Sequence, residues 1–405
     1  MNDPFLFVVL FVAVGAGWLL GRGRAKTTLT PWQASDKLPS QYYKGLNFLL
    51  DGSQDGAIDA FTQALEVNSE TFDTHIALGN VLRRRGEVDR AIRIHQNLLA
   101  RPSLPASQLH LAHLELSRDY ISAGLLDRAE RLLLDLVAEA GHHRRVARRH
   151  LLEIYEAQRD WLAAQAIATE LLPKRSLLRS SGQEPSEVGQ PIPLLLAQYC
   201  CEQGSIALEK GDLNAAREQL DQALKHDKSC TRATLMLAEL DLKTNNPGRT
   251  VKTLQVLKEQ APDFIPQSAG LLREAYQQLD RRAELRAYLS ECYQSRPSTP
   301  LLIALAEEIR AVEGPEAAKQ YLREKLIDKP SLQGLALLME LHNAREAGDD
   351  ESLQIDIIKH LVEARSSYRC THCGFRGQHL HWYCPGCKHW GTIRDLGSVG
   401  EIVRA

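Results

Sequence analysis

The chain has 405 residues, with 49 Lys and Arg against 51 Asp and Glu, 44% hydrophobic and 25% charged residues. That composition excludes a disordered chain, a collagen-like fibre and a multi-span membrane protein, and a formal net charge of −2 argues against a dedicated nucleic-acid binder. Aromatics are scarce at 6% while Leu, Ala and Glu abound, which favours helix over sheet; eight cysteines are too few for a secreted disulfide scaffold.

The first element is an unbroken apolar run from Phe5 to Leu20. As a helix it spans about 24 Å, short of a hydrocarbon core of roughly 30 Å. Pro4 before it, Gly21 after it and snorkelling by Arg22 and Arg24 make up the difference. A cleavable signal peptide would need a basic n-region, and Met1-Asn2-Asp3 supplies none. Positive charge follows the run instead, at Arg22, Arg24 and Lys26, which places that side in the cytoplasm. The sequence therefore predicts an uncleaved anchor over 1–21, single-pass, with the remainder of the chain cytoplasmic; a signal peptide and a short buried helix are the competing readings. Ala13, Gly17 and Gly21 form a small-residue stripe on which a second transmembrane helix can approach closely. The plain alternative is that Gly and Ala are common in membrane spans.

After a linker over 22–36 containing Pro31, the chain shows a period near 34, the tetratricopeptide length, from 37 to 366. Gly45, Ala57, Phe61 and Ala64 stand where the two helices of such a unit must touch, and Gly79 with Ala91 repeats the pair. Later units supply Tyr120 with Ala129, Tyr155 with Ala164, Gly204 with Ala216 and Ala223, and Ala238 with Pro262; Tyr276 with Leu289 and Ala306 with Ala318 are weaker. Breakers fall between helices at Gly86, Gly124, Gly211 and Asn246-Pro247-Gly248. About eight units are expected, stacked into a superhelix with a concave binding face. A Ser/Gly/Pro-rich stretch near 175–193 interrupts the period and predicts an extended loop. The array carries no P-loop, nucleophile elbow or HExxH, so it predicts a binding protein and not an enzyme.

Between 83 and 149 there are 13 Arg and Lys against 8 acids. Arg83, Arg84 and Arg85 end one helix; Arg144, Arg145, Arg148 and Arg149, with His142, His143 and His150, begin another. Arg83, Arg84, Arg148 and Arg149 are candidates for steering an acidic partner or lying against anionic headgroups. A solvated face, with the arginines paired to neighbouring acids, is the default for a charge run and weighs more.

The strongest signal is Cys370-Thr-His-Cys373 followed by Cys384-Pro-Gly-Cys387. Each C-x-x-C aims two thiolates at one point, and two such knuckles complete a tetrahedron with no open position for substrate, which predicts a structural metal. Gly374 and Gly386 are expected to supply backbone freedom in the knuckles. Zinc is the first choice and iron in a rubredoxin-like S4 site the alternative. Two disulfides or a redox C-x-x-C are the remaining readings. Four thiolates leave His372, His379, His381 and His389 as surface or packing residues, while Trp382, Tyr383 and Trp390 are expected to cover the site or dock it onto the last repeats. Cys200, Cys201, Cys230 and Cys292 fall on repeat helices and read as buried thiols.

An N-terminal span, a tetratricopeptide array and a terminal ribbon reading Tyr368-Arg369-Cys370-x-x-Cys373-Gly374-Phe375, then Leu380-x-Trp382-x-Cys384-Pro385-x-Cys387-x-x-Trp390-x-Thr392-Ile393, resembles the lipopolysaccharide assembly protein B family of Gram-negative bacteria. The resemblance implies an all-α fold, a tetratricopeptide superhelix with one N-terminal transmembrane helix and a rubredoxin-like ribbon over 367–397. It also implies an adaptor at the inner membrane that helps the membrane-embedded AAA+ protease FtsH degrade the deacetylase LpxC and so limits lipid A synthesis. An inner-membrane antagonist is a further implied partner; no nucleic acid is expected. By matching positions, Cys370, Cys373, Cys384 and Cys387 carry over as metal ligands and Phe5 to Leu20 as the anchor, whereas no protease- or client-contacting residue carries over. Rival readings are an envelope scaffold without a proteolytic link, a nucleic-acid-associated zinc ribbon and a redox enzyme using the C-x-x-C pairs.

Overall fold

The computed structural model describes residues 72–100, 104–139, 141–172, 189–343, 349–363 and 367–396, with isolated positions between 43 and 60. The apolar run from Phe5 to Leu20 with Ala13, Gly17 and Gly21, the linker, the first unit's Ala57, Phe61 and Ala64, and the stretch 173–188 lie outside the described residues. Among the described residues no helix is long and apolar enough to cross a membrane.

Eight helix–turn–helix pairs follow one another among the described residues. They are α1 (Phe72–Arg84) with α2 (Val88–Leu99), α3 (Ala106–Ser122) with α4 (Leu126–Glu139), α5 (Arg144–Gln158) with α6 (Trp161–Leu171), and α7 (Ile192–Glu209) with α8 (Leu213–His226). Then come α9 (Thr231–Lys243) with α10 (Pro247–Gln255), extended by the one-turn α11 (Leu257–Gln260), and α12 (Ile265–Gln278) with α13 (Arg282–Ser295). The last two pairs are α14 (Thr299–Glu313) with α15 (Pro315–Asp328), and α16 (Leu332–Asn343) with α17 (Asp349–Glu363). The marker residues named from the sequence, from Gly79 with Ala91 to Ala306 with Ala318, lie in or beside the first seven of these pairs; α16 and α17 fall within the expected 37–366 without such a marker pair.

The turns explain the period. Gly86, Gly124, Arg159, Gly211, Asn245 and Asp280 all hold positive φ, between 55° and 83°, directly after the first helix of a pair. Two backbone bonds recur at each: Gly124 N–H donates to Ile121 O at 3.0 Å and Leu125 N–H to Tyr120 O at 2.8 Å, as Gly211 and Asp212 do to Leu208 and Ala207. That is the Schellman stop, which satisfies the last carbonyls of the helix. Asp160 and Asp212 then cap the second helix by accepting from Ala163 N and Ala215 N. A Cβ at Gly124 would meet nothing within 4 Å, so its only objection is the left-handed backbone. Gly124→Ala is expected to cost about 1–2 kcal/mol, read as a lower urea midpoint with unchanged m-value.

The small residues sit at the crossings. Ala91, Ala129, Ala164, Ala216, Ala223, Ala238 and Ala318 are wholly buried. A Cβ at Gly79 would overlap the His95 ring, and one at Gly204 would stand 3.1 Å from Leu220.

The chain forms two compact units, 1–150 and 151–405. In the first, Leu78, Leu82 and Ala91 make one cluster and Phe72, Leu98 and Ala112 another. In the second, one core joins α7, α8 and α9 through Ala197, Cys201, Leu220 and Leu237, and a larger one runs from Leu254 through Leu272 and Tyr276 to Leu305. The second unit ends in a three-stranded antiparallel sheet of order β2-β1-β3: β1 (Tyr368–Cys370), β2 (Arg376–Gly377) and β3 (Ile393–Asp395), with Arg369 opposite Arg376 on one side and Arg394 on the other.

Candidate metal centre and its dock

Two backbone knuckles build the site. Gly374 N–H donates to Cys370 O at 3.0 Å, and Lys388 N–H to Cys384 O at 2.9 Å; Cys370 N–H reaches Phe375 O and Cys384 N–H reaches His389 O. Each knuckle thus repeats the other fourteen residues on, with a left-handed residue after its second cysteine: Gly374 at φ +79° and Lys388 at φ +60°. This corrects the expectation for Gly386, whose backbone is not left-handed. It is needed for room, because a Cβ there would stand 3.2 Å from Cys373 Sγ.

The four Sγ atoms lie within 4.8 Å of one another, Cys370 to Cys387 at 3.8 Å and Cys373 to Cys384 at 3.7 Å. A tetrahedral zinc ion with bonds of about 2.3 Å requires sulfurs about 3.8 Å apart. The separations therefore fit a metal ion and are too long for disulfides. Burial opposes ionisation of Cys370, yet hydrogen bonds from Thr392 and from backbone N–H groups of Cys373 and His372 outweigh it and draw the thiol down to about 6. Burial and the neighbouring sulfurs push Cys387 up to about 12. Opposite shifts at Cys370 and Cys387 suit a pair of sulfurs that share one cation. His372 and His389 pack edge to face at 3.9 Å, and His381 sits at the edge of Phe375, so the histidines pack around the site.

The ribbon is docked, though not where the sequence places it. Trp390 is 1% exposed. Its Nε1–H donates to Glu156 Oε1 at 3.0 Å, an oxygen that also accepts from Tyr199 Oη at 2.6 Å, while Tyr383 Oη faces Oε2 at 3.5 Å. Trp390 N–H donates to Gln190 Oε1 at 2.7 Å, and Gln190 Nε2 donates back to Trp390 O at 2.9 Å. Around this lie Trp161, Tyr199 and Tyr383, with ring centroids 5.7, 6.2 and 4.6 Å from Trp390. Trp382 stacks on Phe264 at 5.5 Å, and the Arg394 guanidinium lies 4.9 Å from the same ring. The receiving residues thus come from α5, α6, α7 and the turn before α12, and not from the last repeats. The carboxyl of Glu156 is held above its ordinary value by burial, against the pull of its three donors.

These features have counterparts in known proteins. A family profile described as a rubredoxin metal-binding domain matches residues 368–395, and tetratricopeptide repeat profiles match 46–105 and 207–275. Lipopolysaccharide assembly protein B of Escherichia coli K12 is 33% identical over 401 residues, covering 98% of this chain and 99% of the relative. The chain belongs to the lipopolysaccharide assembly protein B family. The Haemophilus influenzae protein of the same name is also 33% identical, over 405 residues, covering 97% of this chain and 98% of that one.

In this family member the basic stretch is mostly spent internally. Arg83 donates to Asp119 Oδ1 at 2.7 Å and Glu115 Oε2 at 2.9 Å, and the other Asp119 oxygen bonds His95 Nδ1. Arg118 donates to Glu115 and to His150 Nε2. Arg144 donates to Val137 O and Ala138 O, closing the end of α4. Arg83 is accordingly a structural ion-pair residue; Arg148 and Arg149 are half-buried, and Arg84 is exposed. Glu156, Gln190 and Tyr199 are the docking residues that the sequence conceals, because a single Glu on an amphipathic helix and a Gln in a Ser/Gly/Pro-rich stretch look like ordinary surface.

Proposed function

We propose that this chain is a membrane-anchored adaptor in lipopolysaccharide assembly that presents the deacetylase LpxC to the FtsH protease and carries out no chemistry of its own. The observation that carries the reading is the 33% identity to the Escherichia coli protein, spread over 98% of this chain. The metal centre supports it: four sulfurs fill every tetrahedral position, so an ion held by Cys370, Cys373, Cys384 and Cys387 is structural. Zinc suits that sulfur set, and iron is the alternative. The run from Phe5 to Leu20 confines the adaptor to the inner membrane beside a membrane-embedded protease, with 22–405 in the cytoplasm. Confinement raises the effective concentration of a captured client without any new contact.

The test is the half-life of LpxC in cells lacking this chain, in cells carrying it, and in cells carrying it without residues 1–21. A half-life shortened several-fold by the full chain alone supports the adaptor. An unchanged half-life with normal lipopolysaccharide would replace it with an assembly scaffold that has no proteolytic link.

A further inference from the structure

The core between α7 and α9 holds three thiols that the metal centre does not use. Cys200 and Cys201 lie on α7, Cys230 is the N-cap of α9, and all three are buried. They are not equivalent. Cys201 Sγ and Cys230 Sγ stand 3.9 Å apart, whereas Cys200 Sγ takes its contact from Gln165 Nε2 at 3.4 Å. Donors converge on Cys230: the Cys201 thiol, Gln198 Nε2 at 3.7 Å and the backbone N–H of Ala233 in the first turn of α9. The helix N-terminus adds positive potential at the same sulfur, as does Arg232, itself paired with Glu202.

A sulfur so surrounded is built to carry negative charge. The hydrogen bond from Cys201, then that from Ala233, hold the Cys230 thiol below its ordinary value against the opposing effects of burial and of the Asp227 carboxylate. Burial pushes Cys201 above its ordinary value and Cys200 up to about 11. One thiol of the pair is thus the nucleophile and the other keeps its proton. Cys230 also closes a surface turn, Asp227-Lys228-Ser229, whose Lys228 and Ser229 are exposed and which is held by the Asp227 carboxylate accepting from Ser229 N and Oγ. That turn is the exposed backbone next to the sulfur in sequence.

We propose that Cys230 and Cys201 are a hydroperoxide-sensitive pair that closes to a disulfide between α7 and α9. The Cys230 thiolate attacks the terminal oxygen of a hydroperoxide: an S–O bond forms, the O–O bond breaks, and the departing alkoxide or hydroxide takes a proton from solvent. Cys201 sulfur then attacks Cys230 sulfur, an S–S bond forms, the S–O bond breaks, and the hydroxyl leaves as water with the proton of Cys201. The two thiols lose two electrons in all and the peroxide gains them. The sulfurs must close by about 1.9 Å to reach a bond of about 2.05 Å.

The experiment uses the full chain with its metal bound, treated with hydrogen peroxide, quenched with iodoacetamide and digested for mass spectrometry. The expected result is a peptide joining Cys201 to Cys230 that appears with peroxide and is lost on reduction. Cys200→Ser leaves that peptide in place, Cys230→Ser abolishes it, and Cys201→Ser leaves a Cys230 sulfenic acid that dimedone traps. Wild-type protein in which both residues remain alkylatable thiols after peroxide overturns the proposal. So does a disulfide joining Cys230 to any cysteine other than Cys201.

Discussion

Cys370→Ser is expected to take the ribbon from one bound metal ion to essentially none and to melt residues 367–396 while the helices remain folded. The reason is how little else holds that segment together. Its strands are three, two and three residues long, and of the three buried residues in its own core, Cys370, Cys384 and Ile393, two are candidate metal ligands. So few apolar contacts of its own cannot offset the ordering entropy of about thirty residues, and the metal, with the dock at Trp390, supplies the difference. Structural zinc sites of this kind bind with apparent free energies of about 10–16 kcal/mol near neutral pH, coupled directly to folding. Losing one ligand leaves three thiols and a gap of tetrahedral size. The cores that join α7 to α9 and α9 to α14 contain no residue of the ribbon, so far-UV dichroism should change little. Metal content and tryptophan fluorescence check the prediction together: the ion leaves and Trp390 emission shifts to the red. Full metal occupancy in the variant would show that the ligand set is misassigned. Absorption of the wild-type protein separates iron, which is coloured in sulfur coordination, from zinc, which is not.

The same contrast explains what could be read in the chain and what could not. A C-x-x-C knuckle is a local object: its two ligands, its left-handed residue and its returning hydrogen bonds all lie within six residues, so Cys370 to Phe375 announces itself. The helix pairs are as local, since Gly86, Gly124 and Gly211 mark turns that each close within six residues. Even here the pattern misleads where chemistry is shared by unlike residues. Arg159, Asn245 and Asp280 fill the turn position of those glycines. Lys388 fills the position of Gly374, and Gly386 serves a different purpose from the one its identity suggests. The dock was illegible for the opposite reason. Trp390 meets Glu156 across 234 residues and Gln190 across 200. No period or spacing encodes a contact of that range; it follows from how the intervening helices stack. Arg83 belongs to the same class, because its acids Glu115 and Asp119 lie a full repeat away.

Glu156→Ala is expected to loosen the ribbon from the helices without emptying the metal centre, at a cost on the order of 3 kcal/mol. Oε1 accepts from both Trp390 Nε1 and Tyr199 Oη, so truncation strands two donors among Trp161, Tyr199, Tyr383 and Trp390. Each buried donor left without an acceptor costs about 1–3 kcal/mol. Glu156→Gln behaves differently, because the amide oxygen can keep both of those bonds while the amide nitrogen faces Tyr383 Oη in place of Oε2. Burial holds the carboxyl above its ordinary value of 4.5, so the folded chain holds that proton more tightly than the unfolded one. Stabilisation from that proton is complete below the unfolded value and is lost as pH rises through the higher folded value. Wild type should therefore fall behind Glu156→Gln across that interval and run parallel to it above, in urea unfolding followed at each pH. Protonation of the four cysteines acts on both proteins alike and cancels in the comparison. Glu156→Ala with its metal retained but Trp390 exposed separates docking from metal binding, which Cys370→Ser abolishes together. If LpxC turnover depends on the ribbon as part of the surface formed with Glu156 and Tyr199, both variants lose it; if the ribbon acts alone, only Cys370→Ser does.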